Sequence, residues 1–343
     1  MLTCPIISEI VARPCSAGGL AAGSLLLLCL AAPVPCQEKG YQYFHVGAGE
    51  GAKVGPKSGF LLAGGGNTTD DAYRWFTRHA GGGDAVTIRA SGADAMNKVL
   101  IDAGIVASAS TLLFHSREDS SDPFVAETIR KASALFIAGG DQWNYVRMWK
   151  GTPVASAINE LIHKGFPVGG TSAGLAVLGE FSFSAEHDSI TSKQALANPL
   201  DPAVAITDNF IRIPLLKGII TDTHFVKRDR MGRTLVFLAR LVQDGRARPA
   251  SSIAVDEGNA VLLEGDGSAT LSGPGFGYFL RTTEAPQVCE AGKALTVRGI
   301  SVYRIGNSGK FDVKRWRGEG GTAYTLSVED GAISSTQPGG AVY

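Results

Sequence analysis

Cysteine is scarce where it would matter. Four of the five cysteines (Cys4, Cys15, Cys29, Cys36) fall within the first 36 residues, which leaves Cys289 alone in the body of the chain. That excludes a disulfide framework, and the absence of any Cys-x-x-Cys spacing excludes a cysteine-built metal site. Neither sign of charge is in excess: 32 basic and 32 acidic residues sum to a formal net charge of zero, so nothing asks for a nucleic-acid partner. After the leader no apolar run is long enough to cross a membrane. The chain also lacks internal repeats and a Pro-rich linker. Its Gly64-Gly65-Gly66 run lacks the Gly-x-Gly-x-x-Gly spacing, with an acid about twenty residues on, of a dinucleotide site. No cofactor and no metal are expected.

What remains is an ordinary globular composition, 44% hydrophobic and 19% charged over 343 residues, enough for one large or two moderate domains. The leader differs in texture. Leu20 to Ala32 is apolar, centred on Leu25 to Leu28, and prolines and small residues follow. Such a run suits a signal peptide over residues 1–36, with removal near Val34-Pro35-Cys36 and export to the periplasm or beyond. Pro35 disfavours a lipoprotein cut before Cys36. Either Cys36 survives and pairs with Cys289, or Cys289 is a lone thiol.

Residues 37–265 read as strand–glycine–helix units. Strands are expected at Tyr41–Val46, Gly59–Ala63, Val86–Ala90, Thr111–His115, Leu135–Ala138 and Pro167–Val168. Helices are expected after the Asn67-Thr68-Thr69 cap, near Asp94–Ala103, at Pro123–Lys131, after Gln142 and from Pro153 to Lys164. This pattern predicts an α/β fold, a three-layer doubly wound and mostly parallel sheet, with ligands beyond the carboxyl ends of its strands. Ser182–Pro202 reads as a long loop, Phe210–Ile213 and Gly218–Thr221 as strands, and Arg228–Gln243 as a helix. Residues 266–343 read as a β-rich extension packed on the core.

Chemistry gathers first at Val168-Gly169-Gly170-Thr171-Ser172-Ala173-Gly174-Leu175, where an apolar strand meets a glycine pair, a lone serine and small residues. Gly170-x-Ser172-x-Gly174 fits a nucleophile elbow, in which a sharp turn lifts a hydroxyl above the sheet. With 44 glycines in the chain it fits an ordinary glycine turn equally well. A serine nucleophile needs a base. Of six histidines, His224 sits at a strand end beside a charged segment. His45 and His115 fall in strands, and His79, His163 and His187 at helix ends or in loops. The acid that orients the base is Glu257 or Asp256, with Glu180, Asp222 and Glu186 as competitors. The order Ser172, His224, Glu257 differs from the Ser–acid–His order of α/β-hydrolases. Lys227, Arg228, Arg230 and Arg233 crowd the start of the expected helix, where positive charge opposes the macrodipole. They suit an anionic substrate group, or pairing with Asp222, Asp229 and Asp244.

Taken together, Ala138-Gly139-Gly140-Asp141-Gln142, Gly170-Thr171-Ser172-Ala173-Gly174, Asp222-Thr223-His224-Phe225 with Arg228-x-Arg230-x-Gly232-Arg233, and Val255-Asp256-Glu257 resemble the cyanophycinases. These are serine exopeptidases related to aspartyl dipeptidase E, with a glutamine-amidotransferase-like fold. The motifs occur in the family's order over roughly Gly59 to Leu263. The resemblance implies Ser172 as nucleophile, His224 as base and Glu257 as orienting acid. It implies oxyanion donors from Ala173 and the Gly139-Gly140-Asp141 turn, and substrate contacts from Gln142, Asp222, Arg228, Arg230 and Arg233. It further implies a homodimer and a β-aspartyl-arginine substrate drawn from cyanophycin. Thr223 stands where the family often has Gln, Asp229 lies between the arginines, and Trp143-Asn144 replaces smaller residues. Those departures keep two alternatives open: an aspartyl dipeptidase acting on short Asp-Xaa or isoaspartyl peptides, and an inactive secreted binding protein.

Overall fold

A computed structural model describes residues 40–48 and 54–343. The signal peptide expected over 1–36, the cleavage expected near Val34-Pro35-Cys36 and Cys36 itself lie outside the described residues. The described residues form one compact unit. Among the described residues no helix is long and apolar enough to cross a membrane.

Two mixed sheets carry the strands, numbered in chain order. The larger runs β1 (Gln42–Gly47), β4 (Ser108–Leu113), β3 (Asp84–Arg89), β5 (Ala134–Ile137), β6 (Val168–Thr171), β2 (Gly59–Ala63), β11 (Ala260–Glu264), β12 (Ser268–Ser272), β15 (Lys310–Asp312) and β16 (Arg317–Glu319). Its centre, β4-β3-β5-β6-β2, is parallel, and the strands on either side are antiparallel. The second sheet runs β18 (Ala332–Ser335), β17 (Thr322–Glu329), β14 (Val297–Ile305), β13 (Gly277–Thr282), β10 (Ala250–Val255), β9 (Ile219–Asp222), β7 (Phe181–Phe183) and β8 (Ile206–Asp208). Here β10, β9 and β7 are parallel to one another. Strands β2 and β5 read as unbroken apolar runs because both faces are covered, and β10, which carries Ser251 and Ser252, is likewise buried along its whole length. Residues beyond 265 supply strands to both sheets rather than to one of them.

The helices are α1 (Asp70–His79), α2 (Ala95–Asp102), α3 (Pro123–Lys131), α4 (Gln142–Trp149), α5 (Pro153–His163), α6 (Ala173–Ala176), α7 (Ser192–Ala197) and α8 (Met231–Gln243). Their starts follow local chemistry. Thr69 caps α1 by accepting from the Ala72 N–H, Asp122 caps α3 ahead of Pro123, and Asp141 caps α4 by accepting from the Trp143 N–H at 2.9 Å. Helix α8 is buried nearly all round, with Leu235, Val236, Phe237, Leu238 and Leu241 fully enclosed, each contributing about 1.5–3 kcal/mol.

Three expectations fail here. The long loop expected over Ser182–Pro202 contains β7 residues and α7, which a capping box starts: Thr191 Oγ1 accepts from Gln194 N, and the Gln194 side chain accepts from Thr191 N. No strand forms at Phe210–Ile213. Instead the Asn159 amide, projecting from α5, donates to the Phe210 carbonyl at 3.1 Å and accepts from Arg212 N at 2.7 Å, satisfying the backbone that a ladder would have used. The helix expected from Arg228 begins at Met231, because His224 (φ 48°) and Asp229 (φ 47°) take left-handed backbone that no helix accommodates.

Candidate active site

The parallel strands β2, β5 and β6 of one sheet, and the parallel pair β9 and β10 of the other, carry the site residues at their carboxyl ends. Ser172 directly follows β6. Its backbone, at φ 53° and ψ −119°, lies where an L residue rarely rests, a conformation that surrounding structure must enforce. The flanking glycines show how. A Cβ on Gly170 would lie 2.5 Å from the Gly174 carbonyl carbon, and one on Gly174 only 2.0 Å from the Ile137 carbonyl oxygen. Ser172 N also donates to the Ala63 carbonyl at 3.0 Å, tying the turn to the end of β2.

His224 follows β9, and its Nε2 stands 2.7 Å from Ser172 Oγ. On the other side Nδ1 lies 2.6 Å from Glu257 Oε1, just past β10. For Nε2 to accept the serine proton, Nδ1 must carry the ring hydrogen and donate it to the carboxylate, so Glu257 sets the tautomer. Of the competing acids, Asp256 accepts from Lys227 N at 3.0 Å and Glu180 accepts from Gly218 N; neither bonds His224. Asp222 is engaged elsewhere, as described below. The loop carrying Glu257 is pinned by Asn259, whose amide donates to the Glu257 carbonyl at 2.7 Å and accepts from Gly275 N at 2.6 Å.

The Gly64-Gly65-Gly66 turn organises this relay, a role that its missing nucleotide spacing did not suggest. His224 N donates to the Gly64 carbonyl at 2.8 Å, Gly258 N donates to the Gly65 carbonyl at 2.8 Å, and Gly64 N donates to the Asn259 carbonyl at 2.9 Å. Three strand ends are thereby laced together behind the imidazole. The signal available in the sequence was position: a glycine run at the end of a buried strand, where backbone must approach something closely.

Burial is the main influence lowering the His224 pKa below its ordinary 6.5; Arg228 and Arg230 add to it, while the bond to Glu257 and its charge oppose it. Glu257 is held below the usual carboxylate range, chiefly by that same bond. The lowered pKa favours the neutral imidazole, the form that accepts a proton.

Beside Ser172 lies the turn after β5: a Cβ on Gly139 would stand 3.5 Å from the Ser172 Cβ. Gly140 and Asp141 lead from this turn into α4, with Asp141 as its cap. The Ala173 N–H opens α6, where the first amides lack helical acceptors. Gln142 reaches back to the Phe183 carbonyl at 3.4 Å.

The charged residues separate into two groups. Asp222 is buried and saturated: Arg233 Nε donates to Oδ2 at 2.9 Å and Arg233 Nη2 to Oδ1, Thr234 Oγ1 donates to Oδ2 at 2.8 Å, and Thr223 N donates to Oδ1 at 2.8 Å. Arg233 is equally buried, on α8, and also covers the Phe183 ring at 5.0 Å. The family resemblance implies substrate contacts for these two residues; they engage each other instead, the charge pairing that the sequence also left open, though buried rather than on a solvated face. Arg230 is intermediate. Nη1 donates to the Thr223 carbonyl at 2.8 Å and lies 3.6 Å from Asp222, and burial above all pulls its pKa down to about 10. Arg228 is open, its side chain 54% exposed, with Nε 3.9 Å from Glu257. Of the other histidines, His79 is not solvent-facing: it bonds Glu264 at 2.9 Å and the Trp75 carbonyl.

A serine hydroxyl, a neutral imidazole and a carboxylate in one hydrogen-bonded line, on a sharp turn at strand ends, define a serine-hydrolase type of constellation. The chain belongs to peptidase family S51, whose sequence profile its residues 92–271 match. It is 27% identical over 201 residues to the cyanophycinase of Trichormus variabilis, covering 57% of this chain and 62% of that one. It is 29% identical over 210 residues to the cyanophycinase of Synechococcus elongatus, covering 58% and 60%. The alignments thus span about three fifths of these relatives' length. The crystal structure of a peptidase from an acI-B1 Actinobacterium superposes with a TM-score of 0.50 at 15% identity, over 69% of this chain and 98% of that one, a likeness of fold.

Proposed function

We propose that the protein is an exported serine exopeptidase that hydrolyses β-aspartyl-arginine units of cyanophycin through an acyl-enzyme. The observation that carries this reading is the Ser172–His224–Glu257 line, with contacts of 2.7 and 2.6 Å. Ser172 Oγ attacks the amide carbonyl while its proton passes to His224 Nε2; the imidazolium that forms is stabilised by Glu257. The negative oxygen of the tetrahedral intermediate faces the Ala173 N–H and the Gly139-Gly140-Asp141 turn, which supply the oxyanion hole. The C–N bond then breaks, His224 returns the proton to the leaving amine, and water, activated by the same imidazole, releases the acyl group and restores Ser172.

In this reading the turn at Ser172 is a nucleophile elbow in a doubly wound, three-layer core. Arg228 and Arg230 receive the substrate's free carboxylates, Gln142 lines the same pocket, and the Asp222–Arg233 pair supports the loop that carries them. The cyanophycinase relatives support the polymer as substrate, the apolar leader supports export, and the family resemblance supports a homodimer.

The test is direct. Ser172→Ala should lose nearly all turnover, at least on the order of 10³-fold, while keeping its melting temperature. A fluorophosphonate should label Ser172 in the wild type, and undiminished turnover in the variant would sink the proposal. Comparing cyanophycin with Asp-Xaa and β-Asp-Xaa dipeptides decides between polymer degradation and a dipeptidase. Sedimentation reports the dimer.

A further inference from the structure

Between His224 and the first turn of α8 the chain bends through Asp229, a non-glycine residue at φ 47°, flanked by the two arginines. A carboxylate there has an arginine next to it in the chain on either side. Yet the ion pairs of Arg228 and Arg230 run to Glu257 and Asp222. Asp229 turns the other way: its Oδ1 accepts a hydrogen bond from the Tyr343 hydroxyl at 2.9 Å. That hydroxyl in turn accepts from Met231 N at 2.9 Å, one of the amides at the start of α8 that no helical carbonyl can reach. A phenol donates once, so its hydrogen is committed to Asp229.

Tyr343 is itself held. Its ring stands edge-on to Phe225 at 5.7 Å and to Tyr278 at 6.1 Å. The Tyr324 hydroxyl donates to the Val342 carbonyl at 3.1 Å, and the Gln337 amide donates to the Ala341 carbonyl at 2.8 Å. Burial first, and the carboxylate beside it, raise the phenol's pKa, so it stays protonated and remains a donor.

We propose that Tyr343 is a positioning residue for the arginine motif: its hydroxyl holds the Asp229 carboxylate away from Arg228 and Arg230 and so leaves Arg228, the open one of the two, available to an anionic group of the substrate. The substrate half of this statement rests on the function proposed above; the placement of Asp229 does not. It also gives the acid that interrupts the arginine motif a structural role, as the anchor for residues from the far end of the chain.

The experiment compares the wild type, Tyr343→Phe and the double variant Tyr343→Phe, Asp229→Asn, each as the whole protein. Phenylalanine keeps the ring packing and removes only the hydroxyl; a melting curve checks that each variant folds. The first readout is the rate of Arg228 modification by phenylglyoxal, followed by peptide mass spectrometry. The second is KM and kcat on a β-aspartyl-arginine dipeptide, and the third is fluorophosphonate labelling of Ser172. Tyr343→Phe should slow modification and raise KM by roughly 5- to 10-fold, as expected for a competing charge pair, with kcat and serine labelling nearly unchanged. The double variant should recover both, because its residue 229 carries no charge to pair with arginine. A purely structural role for Tyr343 predicts no such recovery. Equal modification rates in Tyr343→Phe and the wild type, or a double variant that stays impaired, would overturn the proposal. If the wild type neither labels nor hydrolyses the dipeptide, the proposed function fails, and the phenylglyoxal series still decides the role of Tyr343.

Discussion

Gly65 and the imidazole of His224 are in a contact that only glycine permits: a Cβ at 65 would lie 2.3 Å from Cε1 and 2.6 Å from Nε2. The backbone there, at φ +104°, already excludes other residues without strain. Gly65 is thus the wall against which the His224 ring is set. Gly65→Ala should push the ring off Ser172. Because a displacement of about 1 Å costs on the order of 10²-fold in rate, kcat/KM should fall by that amount or more. Steady-state kinetics beside a melting curve checks this. A folded variant with wild-type kcat/KM would show that His224 is positioned by something else.

The pH profile follows from what surrounds the base. Burial, then Arg228 and Arg230, hold His224 below 6.5, so its folded-state pKa is depressed and protonation comes only at lower pH. Protonated Nε2 cannot accept from Ser172, so kcat/KM should fall as pH drops through an acid limb below 6.5. Arg228→Gln removes one of the lowering influences, and the limb should move to higher pH. An uncharged ester substrate isolates this shift from any loss of substrate binding. A limb that stays in place or moves down contradicts the electrostatic account.

Asp222 and Arg233 make a different prediction, one of stability. Both are buried, and each is the other's principal partner. Asp222→Asn keeps the shape but leaves a guanidinium buried without its counter-charge, which should cost about 3–5 kcal/mol in urea unfolding. A loss below about 1 kcal/mol would place the pair in the class of exposed ion pairs. Substitution of Arg228, largely open to solvent, should leave stability almost unchanged.

Much of the scaffold was legible because its signals are local. Pro123–Lys131 carries its own cap and N-terminal proline, and the strands ending at Ala63, Ile137 and Val255 are short apolar runs closed by turn residues. The capping box of Thr191 and Gln194 is equally local, but it lies in a polar stretch whose composition reads as loop. Phe210–Ile213 is a different case. It has the composition of a strand, but its backbone is satisfied by the Asn159 side chain 51 residues earlier, and no local pattern encodes that.

The sequence by itself determined which groups were available: a serine between glycines, a histidine and a glutamate at two later strand ends, and a charged segment between them. It did so because strand ends and sharp turns have short-range chemistry. Only the tertiary structure decided how those groups are paired. Whether a buried or exposed partner meets each charge depends on the ends of β6, β9 and β10 meeting at the site and on α8 packing against β9, β10 and β13. That packing joins Asp222 to Arg233, presses Gly65 against His224 and brings Tyr343 to Asp229 across 114 residues of chain. Such contacts arise from the burial of whole elements: the charges along the chain offered Asp222 as one partner for the arginines, but which arginine it meets, and the contacts of Gly65 and Tyr343, are set by packing.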